Sequence, residues 1–226
     1  MKNNNKFRLD VWGAITLGTI ALYALFLLYP MAYLIRQSVL DPDTGSFTLA
    51  YFTKFFSKSY YFDTLINSFK VSITATVLSI AIGTPLAYLF TIFKIKGKSV
   101  LNILIVVASM SAPFIGAYSW ILLLGRSGII TTFFKNLGIA IPDIYGFGGI
   151  VLVMTLQLFP LVFLYAKGAL KNIDNSLIEA AENLGCSGIA CFFKVVVPLI
   201  MPTLLAAALL VFMRSFADFG TPMLIG

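Results

Sequence analysis

This 226-residue sequence has no histidine and little charge of either sign: Asp, Glu, Lys and Arg together make up 11% of it. Soluble domains carry about 25% charged residues. A chain this poor in charge could not cover a water-facing surface, which excludes a soluble globular domain. No histidine is present to act as a base, no Gly-x-Ser-x-Gly nucleophile turn occurs, and no acidic pair has metal-binding spacing. Cysteine is limited to Cys186 and Cys191. Two thiols at that spacing without histidine make no metal site, so both are read as reduced, buried or half-buried small apolar side chains. The short alternating segments of a membrane β-barrel are also missing. Apolar residues are abundant, at 59% of the chain with a mean hydropathy of +0.95. They fall in runs of about 20 residues, the length of a spanning helix. The fold class is therefore an all-α integral membrane protein, a polytopic helical bundle.

Sixteen basic against nine acidic residues give a net charge of +7. No separate basic domain exists to grip a phosphate backbone, so no nucleic-acid partner is expected. Instead, the charge is read as loop Lys and Arg that set orientation in the bilayer. Residues 1–10 form a polar, basic tail. Residues 11–63 hold a first helix (11–35), too long for the core of a cleavable signal, and a polar, aromatic loop (37–63) with a turn at Asp41–Gly45. A core over 64–226 follows, with helices at about 65–92, 100–124, 148–167 and 199–217 and a connecting loop at 168–198. Lys70, near the start of its helix, is expected to snorkel to the interface. Pro85 and Pro160 lie inside spans, and Pro113 with Gly116 interrupts the third. Kinks that shape a pathway and ordinary packing both fit these prolines. Ala206, Ala207 and Ala208 permit close helix approach in the last span.

Counting loops alternately puts Lys2, Lys6, Arg8, Lys94, Lys96, Lys98, Lys167, Lys171 and Lys194 on one side. Arg36, Lys54, Lys58, Lys70, Arg126, Lys135 and Arg214 fall on the other. The short loop 93–99 concentrates lysine, which places the N-terminus and loop 168–198 in the cytoplasm and residues 218–226 outside. Gly97-Lys98-Ser99 has the ending of a phosphate-binding loop, but that loop needs a glycine where this chain has Ile92. No catalytic residue is assigned, and any nucleotide must be bound by another chain.

Loop 168–198 is the unusual segment. Ser176 and Glu179 have capping-box spacing, which predicts a short helix at 176–184 with Leu177, Ala180, Ala181 and Leu184 at helical intervals. Gly185 suits the left-handed residue that ends it. Ser187 can start a second short helix carrying Ile189, Phe192 and Phe193, and Pro198 suits the start of the next span. The residues alone leave two readings open: an interfacial loop packed on its own bundle, or an element inserted into a cleft on a cytoplasmic protein.

Glu179-Ala180-Ala181, Gly185 and Val195-x-Val197-Pro198 resemble the EAA loop of binding-protein-dependent ABC importer permeases, with Val195 and Val197 where the family has Ile and Leu. The resemblance runs from about Asn67-Ser68 to the end. It implies a type I permease fold like that of methionine importers, in the inner membrane. Glu179, Ala180, Ala181, Leu184, Gly185, Ile189 and Pro198 would then couple the chain to a cytoplasmic ATPase dimer that carries ATP and Mg. The other implied partners are an external substrate-binding protein and a second permease half or subunit within the lipid bilayer. The segments "SFADFGTPMLIG" (215–226), "GRSGII" (125–130) and "LFPLVFLYAKGAL" (158–170) are similar to ferric-iron-type permeases. Polyamine, phosphonate and sugar-phosphate permeases are the alternatives, and a non-transporting membrane scaffold is a rival of another class. Arg214 and Asp218, four apart, are expected to pair at the outer end of the last span, either as a structural ion pair or as part of a path or gate. The family core has one more helix beyond Gly226, so the pore of a lone chain is expected to be incomplete.

Overall fold

The computed structural model describes residues 11–42, 44–93, 96–110, 112–139, 142–186 and 188–226. Lys2, Lys6, Arg8, Asp43, Lys94 and Ser187 lie outside them. The chain divides into two units, Met1–Leu65 and Ile66–Gly226.

In the first unit, α1 (Val11–Tyr23), a π-turn (Ala24–Leu28) and α2 (Tyr29–Val39) run on as one helical segment, none of whose residues is buried. The turn expected at Asp41–Gly45 forms: Gly45, at φ +65°, donates its N–H to the Asp41 carbonyl at 2.8 Å, beneath a bridge between Leu40 and Phe47. Beyond it, the expected loop 37–63 is largely helical. It contains α3 (Ala50–Ser57) and the first residues of α4 (Ser59–Ile92). Aromatic side chains hold the corner between them, with Phe55 stacked on Tyr61 at 5.5 Å and edge-on to Phe56 at 5.3 Å.

The second unit continues α4, which at 34 residues is about 51 Å long. It adds α5 (Lys98–Ser109), α6 (Pro113–Leu124), α7 (Ile129–Asn136) and α8 (Phe147–Lys171). Then come α9 (Asn175–Asn183), α10 (Gly188–Cys191), a second π-turn (Phe192–Val196), α11 (Val197–Phe216) and α12 (Gly220–Ile225). Among the described residues, five segments are long and apolar enough to cross a membrane: Val11–Val39, Ser59–Ile92, Phe114–Asn136, Phe147–Lys171 and Gly188–Phe216.

Several boundaries differ from the sequence reading. The third helix, expected at 100–124, is two helices, because Pro113 starts α6 at its first turn, where the missing N–H costs nothing. The stretch 125–147, between the helices expected at 100–124 and 148–167, contains α7. Residues 218–226 hold a further short helix. They fold back as α12, with Thr221 and Ile225 fully buried and the Ile225 carbonyl accepting the Gly146 N–H at 2.8 Å.

Both π-turns end two residues before a proline, Pro30 and Pro198. A proline ring clashes with the carbonyl four residues back, here that of Phe26 or Lys194, each inside its π-turn. The wider turn shifts the bonding instead: Tyr29 N–H reaches Ala24 O, and Val197 N–H reaches Phe192 O. Pro198 therefore lies within a continuous helical run from Gly188 to Phe216, not at the start of a separate span.

Helix α8 is the hub. One core cluster joins it to α4, the second π-turn and α11 through Ala87, Phe90, Val162, Phe163, Val196 and Ile200. A second joins it to α4, α6 and α12 through Ala75, Ala117, Val153, Met154 and Ile225. Gly83 sets the α4–α8 approach. A Cβ there would lie 2.9 Å from both the Phe159 carbonyl oxygen and Val162 Cβ. Small polar residues (Ser72, Thr76, Ser79, Thr155, Ser215) fill the tight contacts, as is usual between helices packed in lipid.

Candidate functional site

The elbow is built from residue 174 onward. Asp174 precedes α9, and its carboxylate accepts the Ser176 N–H at 3.0 Å. Asp174, not Ser176, is thus the cap, and the expected Ser176–Glu179 box does not form. Three successive cap-forming residues, Asp174-Asn175-Ser176, compete here, and the first wins because its side chain reaches the second amide of the helix. The Ser176 amide, then the Ser176 hydroxyl, hold the Asp174 carboxyl below its ordinary value of 3.8, against a small opposing effect of desolvation.

At the other end of α9, Gly185 adopts φ +85°, the left-handed conformation that its spacing predicts. Cys186 N–H bonds back to Ala181 O at 3.0 Å, the six-residue closure of a Schellman motif. Within the elbow, Cys186 is half-buried and Cys191 buried. Ile178 packs onto the core from α9. From the second arm, the Phe192 ring lies 4.7 Å from that of Tyr88 on α4. These contacts tie the elbow to α4 and α8. The opposite face is bare. Leu184 is 88% and Ile189 79% exposed, and Leu177, Glu179, Ala180 and Phe193 are exposed with them. Ala181 is half-buried. Glu179 makes no ion pair with a described residue. Six of the seven residues expected to couple, from Glu179 to Ile189, therefore cluster around one bend, while Pro198 lies beyond the second π-turn.

Arg214 and Asp218 are brought to a different place. They do not pair. Asp218 is consumed as the cap of α12, accepting Gly220 N–H at 2.8 Å, Thr221 N–H at 3.2 Å and the Thr221 hydroxyl at 2.6 Å. The helix breaks at Ala217, so the geometry needed for an i,i+4 pair is lost. Arg214 is exposed and has no ion-pair partner among the described residues. It lines a cavity of about 520 Å³ with Ser109, Gln157 and Asp218. Gln157 lies about 15 Å from the start of α8 and about 21 Å from its end at 1.5 Å per residue, so the cavity borders the middle of α8. The Gln157 side-chain amide nitrogen is buried without a partner. Sequence reasoning missed Gln157, although a glutamine in the middle of an apolar span is itself a signal. Among the described residues, no cluster of metal-ligating side chains occurs.

Residues 46–226 match the family model described as "binding-protein-dependent transport system inner membrane component". Among curated relatives, a putative ferric transport system permease protein FbpB 1 of Haemophilus influenzae is 29% identical, over 92% of this chain and 33% of that protein. The spermidine/putrescine transport system permease protein PotB of the same organism is also 29% identical, over 99% of this chain and 79% of that protein. The chain spans about a third of the length of the ferric relatives it matches. A solved bacterial ABC transporter involved in import of the acidic polysaccharide alginate superposes with a TM-score of 0.70 at 18% identity, over 93% of this chain and 74% of that one. The same alginate transporter in complex with an alginate pentasaccharide-bound periplasmic protein gives a TM-score of 0.69.

Proposed function

The chain belongs to the family of binding-protein-dependent transport system inner membrane components, and from that premise we propose that it is the path-forming subunit of an ATP-driven importer. The N-terminus is cytoplasmic in this reading, and the elbow at 175–198 docks into a separate ATPase subunit that supplies ATP and Mg. An external binding protein delivers the cargo, and a second permease half or subunit completes the pore. No catalytic step belongs to this chain.

The observation that carries the reading is the two-faced elbow. One face is anchored to the core through Ile178 and Phe192, and the other presents Leu184 and Ile189 uncovered. Burying one such leucine stabilises a contact by about 2 kcal/mol, so a cytoplasmic partner with an apolar groove fits this face. Movement of that partner would pass through the rigid anchors to α4 and α8. Replacing Glu179 or Gly185 is expected to lower transport and substrate-linked ATP hydrolysis while leaving membrane insertion intact. Normal transport by both variants would sink the lever.

The cavity at Arg214 and Gln157 is our candidate path. It sits at the break between α11 and α12, and a broken helix beside a charge without an ion-pair partner is how carriers commonly build a route. Ferric iron is the proposed cargo, supported by the ferric permease relatives and by the guanidinium in the cavity, which suits iron carried with anionic ligands better than a free polyamine cation. The second reading, a polyamine, is favoured by the PotB relative, which matches equally well over most of its length. Uptake of labelled ferric ion compared with labelled spermidine, in cells that carry the whole system, separates the two.

A further inference from the structure

At the end of the bundle where α4 and α8 finish and α5 begins, three lysines converge on one cavity. It has a volume of about 330 Å³ and is lined by Lys98, Ser99 and Asn102 of α5, Lys167 and Lys171 of α8, and Thr91 of α4. No carboxylate lines it, and none of the three lysines makes an ion pair with a described acid. Lys98 and Lys171 both lie close enough to Lys167 to repel it. Lys167 is nonetheless held in place. Its ammonium donates to the Asn102 side-chain oxygen and lies 5.4 Å from the centre of the buried Phe163 ring. Gly97 precedes α5 without a capping side chain, so the free N–H groups and positive dipole end of that helix add to the field. Like charges gathered without a counter-charge are costly, and an anion bound among them removes that cost.

We propose that this pocket binds a phosphate group, supplied by an anionic phospholipid of the leaflet that Lys98 and Lys171 face. Helix α8 has 25 residues, about 37 Å, against a hydrocarbon core of about 30 Å. Its final turn, with Lys167 and Lys171, therefore reaches headgroup level. Basic pockets between helices at that level suit phospholipid headgroups. The ammonium groups and the α5 amides take the phosphate oxygens, and Ser99 offers a hydroxyl donor, whereas that of Thr91 is already given to the Ala87 carbonyl at 2.8 Å. The proposal needs the bundle to sit in a membrane, but it does not depend on what the protein transports.

The test is native mass spectrometry of the purified full chain titrated with phosphatidylglycerol, and in parallel with phosphatidylcholine. The wild-type chain should retain one phosphatidylglycerol in preference to phosphatidylcholine. A K98Q/K167Q/K171Q variant should lose that retention by on the order of a hundredfold, since each lysine near a headgroup is worth about fivefold. A K54Q/K58Q/K135Q variant removes the same charge elsewhere and should bind like wild type. Equal retention by wild type and the pocket variant, or equal loss by both triple variants, overturns the proposal. If the pocket triple does not fold, K171Q, at an exposed position, should still lose about fivefold, and no loss has the same force. Displacement of the lipid by millimolar inorganic phosphate would keep the anion site but overturn the phospholipid as its source.

Discussion

The elbow at 174–189 and the turn at 214–221 are built from the same parts: a helix, a break, a short helix and an acidic residue placed to cap it. They use their polar groups differently. At the turn, Asp218 spends its carboxylate on three donors of α12, and Arg214 is left over to line a cavity. At the elbow, Asp174 does the capping, and Glu179 and the apolar pair Leu184 and Ile189 are left over on an open face. A group already satisfied inside the chain maintains shape. A group left over beside it is free to meet something else. The comparison separates residues whose loss should unfold a segment from residues whose loss should leave the fold intact and abolish a contact.

The largest effect should come from the open face. L184D together with I189D should weaken association with the proposed ATPase subunit roughly tenfold or more and leave thermal stability in detergent unchanged. A drop in melting temperature comparable to the loss of binding would mean that this face is packed, not open.

At the turn the expectation reverses. Asp218→Ala should destabilise the α12 end by about 1–2 kcal/mol, visible as faster amide exchange at Gly220 and Thr221. Glu179→Ala should leave exchange along α9 unaltered. Similar exchange changes in both variants would erase the distinction.

Next in size is Gly185→Ala, which forces a Cβ into a left-handed conformation at a cost of about 1 kcal/mol. No atom stands within 4 Å of the added carbon, so Gly185→Asn, which tolerates that conformation, should recover most of the loss. Failure of asparagine to rescue would point to a contact and not to backbone geometry.

The smallest effect is a pH dependence confined to α9. The Asp174 carboxyl titrates below its ordinary value of 3.8. Its contribution is therefore fully present above that value and is lost as pH falls through the depressed folded-state value. Protection of the Ser176 amide should fall on acidification below 3.8 and become pH-independent in Asp174→Asn. Protection that instead changes near neutrality would assign the cap to another group.

The sequence made legible what depends on neighbours in the chain. Four of the five apolar segments, the turn at Asp41–Gly45 and the left-handed Gly185 follow from runs and spacings of a few residues, whereas the third span, read at 100–124, lies at Phe114–Asn136. The rest depended on competition. Asp174, Asn175 and Ser176 are all good caps, and spacing to Glu179 favoured the wrong one. Arg214 and Asp218 have pair spacing only if the helix continues, and it breaks at Ala217 because Asp218 gains more from the α12 amides. The helices α3 and α7 escaped notice because each has only 8 residues, less than periodicity needs. Gln157 stands out locally as a glutamine inside an apolar span, but the cavity it lines exists only when α6, α8 and α11 meet.

The π-turn at Phe192–Val196 fixes the elbow's compass bearing. It adds one residue to the helical repeat, and one residue is about 100° of rotation. The arm carrying Ile189 therefore points about 100° away from where an unbroken α-helix running back from α11 would aim it. Deleting a single residue from 192–196 would change the length of the chain very little and swing that arm around its axis, re-aiming Ile189 by about 100°.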